Sequence, residues 1–96
     1  MIQVRNVFQA KYGKGDELVQ LLKEGQAMWP SGGSSRILTD LSGPFFTVVG
    51  ESEWDSFGAW EASAEVLFVD SRFAAWFERM TALVEGGHRE FYNLVE

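Results

Sequence analysis

Between Phe45 and Trp54, an extended chain would carry Phe45, Thr47 and Val49 on one side and Phe46, Val48 and Trp54 on the other. Both sides are rich in apolar groups, so such a strand has to be covered front and back. The N-terminal segment is simpler. Ile2, Val4, Phe8 and Ala10 share a side with Asn6 and alternate with Gln3, Arg5, Val7 and Gln9, which predicts a strand over residues 2 to 10 with one buried face. Tyr12-Gly13-Lys14-Gly15 breaks that rhythm. Asp16 then offers a helix N-cap, and Leu18, Leu21, Leu22 and Met28 follow at helical spacing, predicting a helix over residues 16 to 29.

Residues 30 to 35 form a Ser/Gly-rich connector in which Gly32-Gly33 allows, at most, a lid-like movement. Residues 36 to 41 predict a short strand, and Ser42-Gly43-Pro44 a tight link into the strand 45 to 54. Asp55 or Ser56 can cap the next helix, whose row runs Phe57, Trp60, Ala64, Leu67 and Phe68. Asp70 reads as a fresh cap, so a break is expected near residues 69 to 71. Beyond it Phe73, Trp76, Phe77, Met80, Leu83 and Val84 repeat the apolar stripe, until Gly86-Gly87 stops the helix. Residues 88 to 95 alternate once more, as a last strand.

The order is strand, helix, strand, strand, helix, strand, in a single domain spanning residues 1 to 96. Two right-handed crossovers place both helices on one face of a four-stranded antiparallel sheet, an α+β, ferredoxin-like βαββαβ fold. Two helices cover only one face. The doubly apolar strand therefore asks for a second copy of the chain over the other, and a homodimer, or a higher oligomer built from it, is expected.

Composition narrows the partners. The chain has 14 acidic and 8 basic residues, a net charge of −6, and no basic cluster, so neither nucleic acid nor an anionic membrane surface is an expected partner. With no cysteine, disulfides, thiolate catalysis and Cys-ligated metals are excluded, and one His with scattered carboxylates makes no recognisable ligand set. MIQVRNVFQAK lacks the basic start and apolar run of a secretory signal, and the longest apolar run, Val66-Leu67-Phe68-Val69, is far too short for a bilayer. A cytoplasmic protein is expected. An aromatic content of 15% exceeds what so small a core needs, which points to aromatic rings at an interface or a pocket.

Two local patterns carry a family likeness. Glu53-Trp54-Asp55-Ser56-Phe57-Gly58-Ala59-Trp60-Glu61 resembles the opening of the second helix in the dimeric α/β-barrel superfamily, and Asp70-Ser71-Arg72-Phe73-Ala74-Ala75-Trp76-Phe77 resembles the segment that follows it. That superfamily includes antibiotic-biosynthesis-monooxygenase-like and NIPSNAP-like domains. The resemblance implies two subunits pressing their open sheet faces into a barrel, with a cavity between sheet and helices. Its haem-degrading members use an Asn on the first strand, a Trp on the second helix and an axial His. Here Asn6 and Trp60 match, but the His position falls on or near Trp76, so haem chemistry is disfavoured. No cofactor and no metal is implied.

The ligand-pocket candidates are Arg5, Asn6, Trp60, Trp76 and Tyr92. Each also has a plain structural meaning: Asn6 as a satisfied core amide, the tryptophans as packing, Arg5 as an ion-pair partner. His88, the only side chain with an ordinary pKa suited to proton transfer near neutrality, is the catalytic candidate. Two functions compete. One is an uncharacterised homodimeric barrel protein binding a small apolar ligand between sheet and helices. The other is a cofactor-independent monooxygenase-like or isomerase-like enzyme for a small aromatic or polyketide-type substrate. A cavity with Arg5, His88 and Tyr92 directed inward would favour the enzyme, and an aromatic-lined cavity with His88 outside would favour binding.

Overall fold

The computed structural model describes residues 1–29 and 35–95. Its elements are β1 (Ile2–Ala10), α1 (Gly15–Met28), β2 (Ser35–Thr39), β3 (Thr47–Trp54), α2 (Phe57–Phe68), α3 (Ser71–Thr81) and β4 (Val84–Asn93). The four strands form one antiparallel sheet in the order β2-β3-β1-β4. This is the expected ferredoxin-like arrangement, with the second helix divided into α2 and α3 at the predicted break. Most of the expected connector, residues 30 to 34, lies outside the described residues.

The helix ends follow local chemistry. Ser56 caps α2, its Oγ accepting from the Ala59 backbone N–H at 3.1 Å. Asp70 caps α3 by accepting from the Arg72 backbone N–H at 2.8 Å, and the Arg72 guanidinium folds back onto the same carboxylate at 2.7 Å. The Arg72 side-chain and backbone hydrogen bonds together hold the Asp70 carboxyl down at about 2. Asp16, expected as a cap, lies instead in the first turn of α1, where with Glu17 it complements the helix dipole; the capping position is Lys14.

Two buried clusters hold the helices to the sheet. Leu18, Leu21 and Leu22 of α1 meet Ala10, Val48, Met80 and Leu83 in the first. Val4 and Trp54 meet Trp60 and Ala64 of α2 in the second.

Several boundaries differ from those read in the sequence, β2 ending at Thr39 and not at residue 41 and β4 spanning Val84–Asn93, and three places have a physical reason. β3 begins at Thr47, not Phe45. Asp40 and Thr47 close the β2–β3 connection, the Asp40 N–H donating to the Thr47 carbonyl at 3.1 Å and the Thr47 N–H to Asp40 Oδ1 at 2.8 Å. Phe45 and Phe46 fall within this connection and pack edge-on against Tyr12, with ring centroids 6.0 and 5.7 Å away. The second correction is at residues 86 and 87, which do not stop a helix. Helix α3 ends at Thr81, and Gly86 and Gly87 belong to β4. A Cβ on Gly87 would lie 2.8 Å from the Val7 carbonyl oxygen, so the glycine serves close strand approach. The third lies beside it. Gln9 pairs with Gly86 but Ala10 with Val84, leaving Glu85 in a β-bulge.

The sheet face turned away from the helices is not apolar throughout. Register sets Arg36, Glu51, Arg5 and Glu90 side by side across all four strands, a row of alternating sign. Glu51 receives Arg36 Nε at 2.8 Å, and Arg5 Nε approaches at 3.1 Å as an ion pair without hydrogen-bond alignment. The neighbouring row, Leu38, Val49, Val7 and His88, supplies the apolar share. The doubly apolar reading fails because the two phenylalanines that suggested it stand outside the strand.

Candidate functional site

Between the two buried clusters lies a cavity of about 220 Å³. Its floor is one cross-strand row on the covered face of the sheet: Ile37, Gly50, Asn6 and Arg89, successive register partners. Gly50 leaves the middle of that row without a side chain, and a Cβ there would meet nothing within 4 Å. The walls come from Leu22 and Gly25 of α1, Trp60 and Leu67 of α2, and Phe73 and Trp76 of α3. All four tryptophans of the chain border the space.

Each polar group on the wall has a definite place. Arg89 Nε donates to Asn6 Oδ1 at 2.7 Å, and its guanidinium carbon lies 5.0 Å from the centre of the Trp60 ring. Burial pushes the Arg89 pKa down, and no carboxylate among the described residues forms an ion pair with it. It is a partly desolvated cation answered by an amide and a π-face. Trp54 Nε1 donates to Ser52 Oγ at 2.8 Å, and Trp76 Nε1 to the Leu21 carbonyl at 2.6 Å. Glu51 also borders the cavity, but its carboxylate is engaged by Arg36 and Arg5.

The sequence candidates therefore divide between the two faces of the sheet. Asn6, Trp60 and Trp76 border the cavity. Arg5, His88 and Tyr92 share the opposite face, where Glu90 joins them: His88 Nε2 lies 2.9 Å from Glu90 Oε2, Tyr92 Oη donates to Glu90 Oε1 at 3.0 Å, and Arg5 Nη1 stands 3.9 Å away. The His88 contact, then the Tyr92 hydrogen bond, pull the Glu90 carboxyl below its usual range, and the same Tyr92 bond raises the phenol. His88 is thus placed beside a carboxylate on the uncovered face, and the cavity wall carries no histidine among the described residues.

Arg89, read from the sequence only as a partner for strand carboxylates, and the Phe91 ring were not among the site candidates. Phe91 sits edge-on to Trp60 with centroids 4.9 Å apart. Both occupy the side of the last strand opposite His88, and the alternation of residues 88 to 95 held that signal. What it lacked was the register that seats Arg89 on Asn6, 83 residues earlier.

Chemically, this pocket can hold a flat apolar body by ring contact and an anionic oxygen by Arg89. The one carboxylate on its described walls, Glu51, is held by Arg36 and Arg5. Among the described residues no cluster of three or more metal-ligating side chains occurs, and no helix is long and apolar enough to cross a membrane.

No family model matches the sequence, and no curated protein matches it. Solved structures do match in fold. An uncharacterised NIPSNAP domain protein from Burkholderia xenovorans aligns over 99% of this chain and 95% of its own, at 21% identity and a TM-score of 0.87. A NIPSNAP family protein from Agrobacterium tumefaciens aligns over 99% and 93%, at 21% identity and a TM-score of 0.87. SnoaB, a cofactor-independent oxygenase from Streptomyces nogalater, aligns over 99% and 93%, at 13% identity and a TM-score of 0.76. The chain has the fold these NIPSNAP and antibiotic-biosynthesis-monooxygenase-like proteins share.

Proposed function

We propose that this protein binds a small aromatic acid or acidic phenol between its sheet and helices. The observation that carries the reading is Arg89: a cation bordering an aromatic cavity, held by Asn6 and Trp60, with no carboxylate partner among the described residues. Arg89 is solvent-accessible at the rim, yet its guanidinium is partly desolvated, and an anionic ligand would give it the charge-assisted hydrogen bonds that Asn6 and Trp60 do not. Surrounding rings supply the apolar share of the affinity.

The four tryptophans on the wall give the test its signal. Titration with 1-hydroxy-2-naphthoate is expected to quench intrinsic fluorescence saturably, while its uncharged methyl ester binds at least about tenfold more weakly. Equal binding of acid and ester would remove Arg89 from the reading.

A second reading goes further. A readily oxidised, quinol-like substrate could itself supply the electrons that reduce dioxygen, with Arg89 holding its anion, and the fold neighbour SnoaB is described as a cofactor-independent oxygenase. Oxygen uptake by a bound phenol would separate this reading from binding alone.

The proposal includes a homodimer through the uncovered face. The row Arg36, Glu51, Arg5, Glu90 is self-complementary: a second sheet laid over it with its strand order reversed sets each charge against its opposite. Sedimentation at micromolar concentration is expected to give twice the 10.8 kDa of one chain. A single-chain mass would remove the dimer and leave the cavity proposal standing.

A further inference from the structure

Trp76 stands where α3 crosses α1, and two contacts fix it there. Its Nε1 donates to the Leu21 carbonyl at 2.6 Å. The other end of the contact is a notch: a Cβ on Gly25 would lie 2.7 Å from Trp76 Cζ2 and 2.9 Å from Cε2, closer than carbon atoms pack. Glycine inside a helix is otherwise disfavoured, because it loses more backbone freedom than alanine on folding. Here it makes room for the indole. Both residues border the cavity, so the depth to which the indole sinks into α1 sets how much space remains for a ligand.

That space bounds how much of a ligand the rings can cover. An apolar cavity of roughly 150 Å³ takes one benzene ring. The cavity here, about 220 Å³ and partly open to solvent, is larger by about half, so its walls cover a second fused ring and leave a third outside them. We infer that Trp76, seated over Gly25, limits the ligand to two fused aromatic rings. This rests on the aromatic-acid reading above and specifies its substrate class.

Two substitutions move the limit in opposite directions. Trp76→Phe removes the indole's second ring and deepens the cavity. Gly25→Ala denies the indole its notch and drives it into the cavity. The probes are salicylate, 1-hydroxy-2-naphthoate and 9-anthracenecarboxylate, with one, two and three rings, measured by calorimetry. The native chain is expected to bind the first two, and the three-ring acid about tenfold or more weakly than the two-ring acid. Trp76→Phe is expected to recover about tenfold in affinity for the three-ring acid with salicylate unchanged. Gly25→Ala is expected to lose about tenfold for the two-ring acid while keeping salicylate. If Gly25→Ala does not fold, Trp76→Phe decides alone. Native binding of all three acids alike, or an unchanged size order in the variants, overturns the role of Trp76 and leaves the aromatic-acid reading intact. Failure of the native chain to bind any of the three overturns both.

Discussion

Leu21→Ala is expected to lower the free energy of unfolding by about 3 to 4 kcal/mol, within the range for buried leucines cut back to alanine. Leu21 is 1% exposed, at the centre of the cluster that joins α1 to Ala10, Val48, Met80 and Leu83. Leu21 is packed on every side by that cluster, so its removal leaves a cavity that the backbone of α1 and the sheet hold open. A domain of this size holds roughly 5 to 15 kcal/mol in all, so one substitution would consume a large part of it. Urea denaturation followed by circular dichroism measures the change. The paired control is Phe77→Ala: Phe77 falls on the predicted apolar stripe of α3 but is 52% exposed, and its loss is expected to cost under about 1 kcal/mol. Comparable losses at the two positions would mean that α3 packs more tightly than described.

Arg89→Gln is expected to weaken binding of 1-hydroxy-2-naphthoate by about 2 to 3 kcal/mol, roughly 30- to 150-fold, and to leave its methyl ester unaffected. The amide can still reach Asn6 but cannot answer a carboxylate. Stability is expected to change little, because the amide can keep the Asn6 bond and no ion pair among the described residues is broken. That combination marks a residue serving a ligand. A structural arginine would show the reverse, with lost stability and affinity changed equally for acid and ester. Arg89→Lys is expected to fall between, since an ammonium keeps the charge but not the planar fork that spans Asn6 and the ligand.

The elements were legible because their signals are local. Alternation over residues 2 to 10, the three- and four-residue spacing of the leucines in α1, and the oxygen-bearing side chains at Ser56 and Asp70 each act within a few residues of chain. Strand ends were less so. The Asp40–Thr47 bonds that fix the start of β3 join two strands, and Gly87 is required by the Val7 carbonyl of another strand, with no helix to stop.

The site was half legible. Asn6, Trp60 and Trp76 are conspicuous as a polar group on an apolar strand face and as large rings on helix stripes, yet nothing local distinguishes a core position from a cavity wall. Phe73, Trp76 and Phe77 keep perfect helical spacing although none is fully buried, because a stripe that borders a pocket has the same period as one that fills a core. Arg89 became visible only with the register that sets β4 beside β1. That same register removes Arg5, His88 and Tyr92 to the other side of the sheet.

The irregularity at Glu85 bears on how this corner of the molecule tolerates change in length. With unbroken pairing, Glu85 itself would stand opposite Ala10 and bring a carboxylate into the greasy layer beneath the helices. The spare residue lets Val84 take that berth, where it packs against the layer. A corner that looks like an ordinary surface bend is therefore counted to the residue. Shortening it by one would not trim a loop; it would drag the chain leading out of α3 along by a step and unseat Leu83 and Met80 behind it.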